Sequence, residues 1–468
     1  MRLNQLALLI SSVLAVSACD SGGGNKTTLP DDVIPTLAQV ADPTVDSTAI
    51  TLNDYGVHDP SVIKVDNTYY IFGSHLGAAK STDLMNWSQL AEGDNFTNGV
   101  LFSPSYAEAL PEAIEWTGGY VGSWASDVIQ LADGKFYFYY NHCTSPVTGE
   151  CNAPSSYLGV AVSDSIEGPY VDQGVFLRSG LTTREDIVVD PMYITATADD
   201  LPEGVDAYID GQMPNVIDPD VFHDKNGGLW MTYGSHFGGI WILEMDETTA
   251  MPKPGQGYGK RLTGGNFYAN EGSYVLYSPE SDYYYLFTSL GGFNADGGYN
   301  IRISRSRTPD GPYLDSTGFD MTNVTGDPAE HGVKLMGGFE FTADLGSETT
   351  SEGYLSPGHN SAYYDQASGK HVLITHTRFT PDSTDYPGIV EAHSVRVHEM
   401  FVNADGWLVA SPHRYVPIDG DNVVDALDLV GDYRFINHEL DTNRSAKKNL
   451  YISLTESREI TGDVTGSY

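Results

Sequence analysis

Five times along this chain a short apolar run is followed by a turn of Asp, Asn, Gly or Ser and then by a second run rich in aromatic residues. Four of the first runs open on an acid or a histidine: His58-Asp59-Pro60-Ser61-Val62, Ile217-Asp218-Pro219-Asp220-Val221, Asn270-Glu271-Gly272-Ser273-Tyr274 and Gly358-His359-Asn360-Ser361-Ala362. Their second runs are Tyr69-Tyr70-Ile71-Phe72, Trp230-Met231-Thr232-Tyr233, Tyr283-Tyr284-Tyr285-Leu286-Phe287 and His371-Val372-Leu373-Ile374. A fifth copy, Trp124-Ala125-Ser126-Asp127-Val128 with Phe136-Tyr137-Phe138-Tyr139, carries alanine at the register position and its acid two residues later. Short runs bounded by turn residues predict β-strands, and no amphipathic helix of a dozen residues interrupts them between about 54 and 412.

The register positions 59, 125, 218, 271 and 359 lie 66, 93, 53 and 88 residues apart, which suits four-stranded units carrying loop insertions. Third strands are expected at Ala79–Thr82, Leu158–Ser163, Ile240–Leu243 and Ile301–Ser306. Gly168-Pro169-Tyr170 and Gly311-Pro312-Tyr313 mark the turn into a fourth. The chain is therefore expected to be all-β: a five-bladed β-propeller over residues 51–413. A β-sandwich or parallel β-helix would not explain recurrence of the whole unit. After the break Asp419-Gly420-Asp421-Asn422 the character changes, and 414–468 reads as a small accessory β-module with strands near Gly431–Asn437 and Leu450–Leu454. It stops at Gly466-Ser467-Tyr468 without an evident closing strand, which leaves truncation open.

The innermost strands of a propeller meet at its axis, so residues of one register become neighbours although far apart in the chain. Asp59, Asp218 and Glu271 would share one pocket, where like charges raise one another's pKa. A glycosidase needs that arrangement, with one carboxylic acid held protonated and one carboxylate free to activate water. His359 in the same register could hold a metal or serve as a hydrogen-bonded plug. Asp127 faces the same side of its strand and could be a fourth acid, but a structural role is favoured. Trp124, at the start of the second inner strand, is the best candidate to pack against the C–H face of a sugar.

Of the 468 residues, 24 are Lys or Arg and 63 Asp or Glu, for a formal charge of −39. That balance argues against nucleic acid or an anionic membrane surface as a partner. It suits a neutral ligand or solubility at high salt, though surface solvation alone also accounts for it. With 40% hydrophobic residues and 30 tyrosines the chain is globular, with ample core. Residues 1–19 form a targeting segment: Arg2, then an apolar stretch from Leu6 to Val16 too short to span a membrane as a mature helix. Its end, Val16-Ser17-Ala18-Cys19, resembles the lipobox of bacterial lipoproteins, with Cys19 as the lipidated residue; an ordinary secretory signal is the alternative. Residues 20–50 read as a flexible linker. The protein is thus expected to be exported, membrane-associated only through that anchor, and a monomer. In an oxidising compartment Cys143 and Cys151 would close a surface loop as a disulfide, the alternative being two reduced structural cysteines.

Together these motifs resemble glycoside hydrolase family 43, and within it the endo-acting arabinanases, over about residues 54–412. The carriers are His58-Asp59-Pro60, Trp124-Ala125-Ser126-Asp127-Val128, Asn215-Val216-Ile217-Asp218-Pro219, Asn270-Glu271-Gly272-Ser273-Tyr274 and Gly358-His359-Asn360-Ser361. The resemblance implies inverting hydrolysis of α-1,5-L-arabinan, with Asp59 as general base, Glu271 as general acid and Asp218 tuning the acid. It implies sugar contacts at Trp124, Gly159, Asn215, Val216, Ile217, Ser235, His236 and Phe237. It also implies a hydrated Ca2+ on the axis, held through His359. The chain departs from the family at Ser126, often proline, and after Ser235, where the usual aromatic pair is absent. An exo-acting arabinofuranosidase or β-xylosidase of the same fold, or a glycan-binding propeller without turnover, would share many of these features.

Overall fold

The computed structural model describes residues 52–53, 55–93, 95–97, 99–144, 155–180, 211–327, 330–342, 350–379, 392–417, 429–441 and 445–467. The targeting segment with Cys19, the linker and Cys151 lie outside them.

Five antiparallel sheets follow one another along the chain; three of the five innermost strands begin just after the register position, and the other two contain it. The first sheet comprises Ser61–Val65, Thr68–Phe72, Ala78–Ser81 and Ser88–Ala91; the second Asp127–Gln130, Phe136–Thr144, Ser155–Ser163 and Val171–Arg178. The third is built on Asp220–His223, Leu229–Ser235 and Gly239–Asp246, whose outer edge is shared by Met251–Pro252 and Lys260–Thr263. The fourth holds Asn270–Ser278, Tyr283–Leu290, Asn300–Ser306 and Val333–Met336. In the fifth, the 16-residue strand Thr350–Asp365 pairs with Lys370–Arg378 on one side and Phe339–Thr342 on the other, and His393–Val402 and Leu408–Ala410 complete the blade.

The aromatic second strands explain why these sheets stack into a ring. Tyr283–Leu290 and Lys370–Arg378 are buried at every position after the first, so both of their faces are covered by protein. Each covering layer is the neighbouring blade. Five apolar clusters fill the five spaces between consecutive sheets. The last of them joins Val57, Val62, Tyr69 and Ile71 of the first blade to Val372, Ile374, Val395 and Val397 of the fifth, which closes the ring. Backbone and side-chain bonds reinforce the closure: the Val395 amide donates to the Tyr55 carbonyl at 2.9 Å, and Lys64 meets Asp365 at 3.2 Å. The protein is a β-propeller of five sheets, as the repeat implied.

The third strands lie where expected, but one fourth strand does not. The segment after Gly311-Pro312 meets Asn300–Ser306 in an isolated bridge at Leu314, and Val333–Met336 takes the edge. Tyr313 is fully buried among Ile242, Leu262 and Tyr284, so that segment is committed to the space between blades three and four. Two short helices, Tyr106–Ala109 and Pro111–Trp116, stand in the insertion after the first blade. Their lengths fall below what apolar periodicity can reveal. The first is capped by Ser105, and Pro111 occupies the first turn of the second.

The C-terminal residues form their own four-stranded sheet from Gly431–Phe435, Leu450–Leu454, Glu459–Gly462 and Gly466–Ser467. It docks on the propeller: Lys447–Lys448 adds in parallel to Phe339–Thr342, and Lys334 reaches Asp441 at 3.2 Å.

Candidate active site

Asp59, Asp218, Glu271 and His359 line one cavity of about 440 Å³, together with Trp124, Asn215, Ile217, Ser235, His236 and Phe237. Asp59, Asp218 and His359 each adopt a left-handed backbone conformation (φ 54°, 55° and 41°) at or just before the innermost strand of their blade. Such conformations cost free energy in non-glycine residues and concentrate at functional sites. Gly159 and Val216 are not part of the lining. Gly159 faces the ring of Tyr140 inside blade two, and Val216 is fully buried in the core between blades two and three.

Glycine at two motif positions is required by close packing around Glu271. A Cβ on Gly358 would lie 2.0 Å from the Tyr299 ring, and one on Gly272 would lie 2.8 Å from His359. The Tyr299 hydroxyl fits beside the acid as a result and donates to Glu271 Oε1 at 2.8 Å.

The carboxyl groups are held in opposite protonation states. Burial pushes Glu271 up and the nearby Asp218 adds to this, while the Tyr299 hydrogen bond opposes; its pKa is raised to about 7. Asp218 is driven well above the usual range by burial and by the charge of Asp59. Burial also pushes Asp59 up, but His58, His359 and His376 outweigh it and hold that carboxyl well below the usual range. Asp59 Oδ2 accepts from Ser74 Oγ at 2.6 Å and lies 2.5 Å from His58 Nδ1; Oδ1 lies 3.2 Å from His359 Nδ1.

Hydrogen-bond logic fixes the surrounding imidazoles. Arg378 Nη2 sits 2.5 Å from His58 Nε2, and a guanidinium can only donate. His58 therefore accepts at Nε2 and donates from Nδ1 to Asp59. The Asp59 amide donates to His376 Nδ1 at 3.3 Å, so that ring carries its proton on Nε2. His58, Asp59 and His376 cluster tightly enough to bracket an ion, yet both imidazole lone pairs are already taken. His359 differs. Its Nδ1 faces a carboxylate, the pairing that typically orients a metal-binding histidine, and this leaves Nε2 as the donor. One imidazole on the wall of a cavity with room for several waters fits a largely hydrated hard cation.

Asp127 lies deeper on the axis, accepting from Ser61 Oγ of blade one and from the Val221 amide of blade three at 2.7 Å. The lining also includes Ser74, His75, Phe293, Tyr299, Arg378 and His393, which the repeat pattern does not single out. Only His58 was within reach of the sequence, as the residue preceding the register acid.

A closed β-propeller whose axial cavity pairs a carboxyl held low with one held high has the arrangement that a glycoside hydrolase requires. The chain belongs to glycosyl hydrolases family 43, whose description matches residues 53–200 and 204–408. A second family, described as a C-terminal lipocalin-like domain, matches residues 412–468. The chain is 45% identical over 426 residues to the extracellular endo-alpha-(1->5)-L-arabinanase 2 of Bacillus subtilis, covering 89% of this chain and 82% of that one. It is 44% identical over 418 residues to the extracellular endo-alpha-(1->5)-L-arabinanase of Thermotoga petrophila, covering 88% and 82%. The crystal structure of the endo-1,5-alpha-L-arabinanase from Thermotoga petrophila RKU-1 matches with a TM-score of 0.76 at 43% identity, covering 89% of this chain and 87% of that one.

Proposed function

We propose that the protein hydrolyses α-1,5-L-arabinofuranosidic bonds within arabinan, with inversion and at internal positions. The observation that carries this reading is the opposed ionisation of two cavity carboxyls, Asp59 held ionised and Glu271 held protonated to about pH 7. Asp59 takes a proton from water as the water oxygen bonds to the anomeric carbon. Glu271 gives its proton to the departing glycosidic oxygen as that bond breaks. Asp59 ends protonated and Glu271 ionised, and exchange with solvent resets both. Inversion calls for a separation of about 6.5–9.5 Å between the two carboxyls, room for one water. Asp218, itself raised by burial and by Asp59, lies close enough to Glu271 that the two carboxyls resist ionising together, which raises Glu271 and keeps the acid loaded. Trp124, Asn215, Ile217, Ser235, His236 and Phe237 hold the sugar. His359 would hold a hydrated Ca2+, which when bound supplies a fixed positive charge on the axis.

The endo-arabinanase names of the two relatives support the substrate and the internal mode of attack. Glu271→Gln should lower kcat on linear arabinan by about 10²–10⁴-fold while substrate binding stays measurable. Undiminished turnover would remove the assignment. Products separate the readings: an oligosaccharide ladder means internal cleavage, monosaccharide alone means attack from an end, and none means a binding protein. The extracellular names also support export; lipidation of Cys19 rests on the Val16-Ser17-Ala18-Cys19 pattern, and a Cys143–Cys151 disulfide on the two cysteines meeting an oxidising compartment. Intact mass of the exported protein, before and after reduction, reads both modifications.

A further inference from the structure

Gly264, Gly265, Asn266 and Phe267 occupy four successive left-handed positions, with φ of 77°, 93°, 53° and 62°. Glycine adopts this conformation freely and asparagine tolerates it, but a bulky aromatic residue does not. Phe267 is also 49% exposed as a residue. Among the described residues it is the one large apolar side chain that combines such exposure with a left-handed backbone. Both features oppose folding: the strain raises the energy of the native state, and the exposed ring gives up the gain of burial.

The loop is nonetheless held firmly. The Asn266 amide donates to the Gly211 carbonyl at 2.5 Å, the Phe267 amide to the Phe237 carbonyl at 3.1 Å and the Tyr268 amide to the Gly265 carbonyl at 3.1 Å. Gly211 lacks a Cβ that would otherwise lie 2.7 Å from the Phe267 ring. The ring centroid sits 5.9 Å from that of Phe237 and 6.1 Å from that of His236, both of which line the cavity. Phe267 itself stands outside the lining. The aromatic wall of the cavity thus continues by one ring onto the surface, at a fixed place and orientation.

We infer that Phe267 is a stacking platform for a neutral pentofuranose unit of the substrate chain, at a subsite beyond the catalytic cavity, and that it sets the preference for long chains over short ones. This rests on the reading of the cavity as an arabinan-cleaving site. A rigid, partly wet aromatic ring offers contact area for a sugar's C–H face with little side-chain entropy to lose. A ligand that covers the ring recovers the apolar burial that folding leaves unused.

The test compares wild type, Phe267→Gly and Phe267→Tyr on linear arabinan and on arabinotriose, with melting temperatures. Phe267→Gly should raise KM on the polymer by about 3- to 10-fold, the order expected for loss of one ring contact. The loss on arabinotriose should be smaller, and the melting temperature should hold or rise because glycine relieves the strain. Phe267→Tyr should restore polymer KM. Equal losses on both substrates, or a melting temperature several degrees lower for Phe267→Gly, would overturn the platform and make the ring a packing element. A wild-type protein that leaves linear arabinan intact would instead defeat the underlying reading of the cavity, and the platform with it.

Discussion

At the scale of single residues, the working difference between Asp59 and Glu271 comes from their partners. Both carboxyls are removed from water, which favours the neutral form of each. Three imidazoles and a serine hydroxyl reverse that for Asp59, whereas Glu271 has the Tyr299 hydroxyl against the added pressure of Asp218. Glu271 must carry a proton to act as an acid, so kcat/KM should fall as pH rises through about 7. The Tyr299 hydrogen bond favours the charged form. Tyr299→Phe should therefore move this alkaline limb to higher pH, as read from a pH–rate profile; a shift to lower pH would mean that Tyr299 acts otherwise. The acids themselves were legible in the sequence because they share one register. Tyr299, Arg378 and His376 were not, because each sits on or beside a strand whose local pattern calls for packing and nothing else.

At the scale of elements, neighbouring inner strands are stitched by buried carboxyls one layer below the site. Asp127 links blade two to Ser61 and to the Val221 amide, and Asp220 links blade three to the Val275 amide at 2.7 Å. Burial raises Asp127 to about 6, and its hydrogen bonds from Ser61 and Val221 only partly offset this. A folded-state pKa above the unfolded value means that the protonated group contributes stability in full below about pH 4, and that this is lost as pH rises through about 6. Asp127→Asn keeps a hydrogen-bonding oxygen without the charge, so above pH 6 its denaturation midpoint should equal or exceed that of wild type. Asp127→Ala strands the Val221 amide and should cost about 1–3 kcal/mol. If asparagine is as damaging as alanine, the link depends on the charge. The recurrence of an acid two places past the register was visible in the sequence at Asp127 and Asp220; the crossing from blade to blade was not.

For the whole molecule, closure is the decisive event. Val395 and Tyr55 meet although separated by most of the chain, and so do Asp59 and His376. The surroundings of the Asp59 carboxylate are thus completed by the same contact that seals the ring. A cation at His359 would add a tie on the axis where the blades converge, and a ligand that binds only the folded state stabilises it. Treatment with EDTA should lower both the melting temperature and the activity, and added Ca2+ should restore them; no change in either would count against a metal at His359.

The strand–turn–aromatic-strand repeat, the count of five, and the acid or histidine heading four of the copies are properties of the sequence alone, because strand periodicity and turn chemistry act over a few residues. The tertiary structure decided which carboxyl is ionised and which is protonated. It also decided which of the expected sugar contacts reach the cavity, and it brought Phe267 to the rim on a strained loop. Burial, hydrogen bonding to distant residues and Coulomb forces act through space, and here their partners lie far apart in the chain, 320 residues in the case of Arg378 and His58. Such partners become neighbours only when the fifth blade packs against the first.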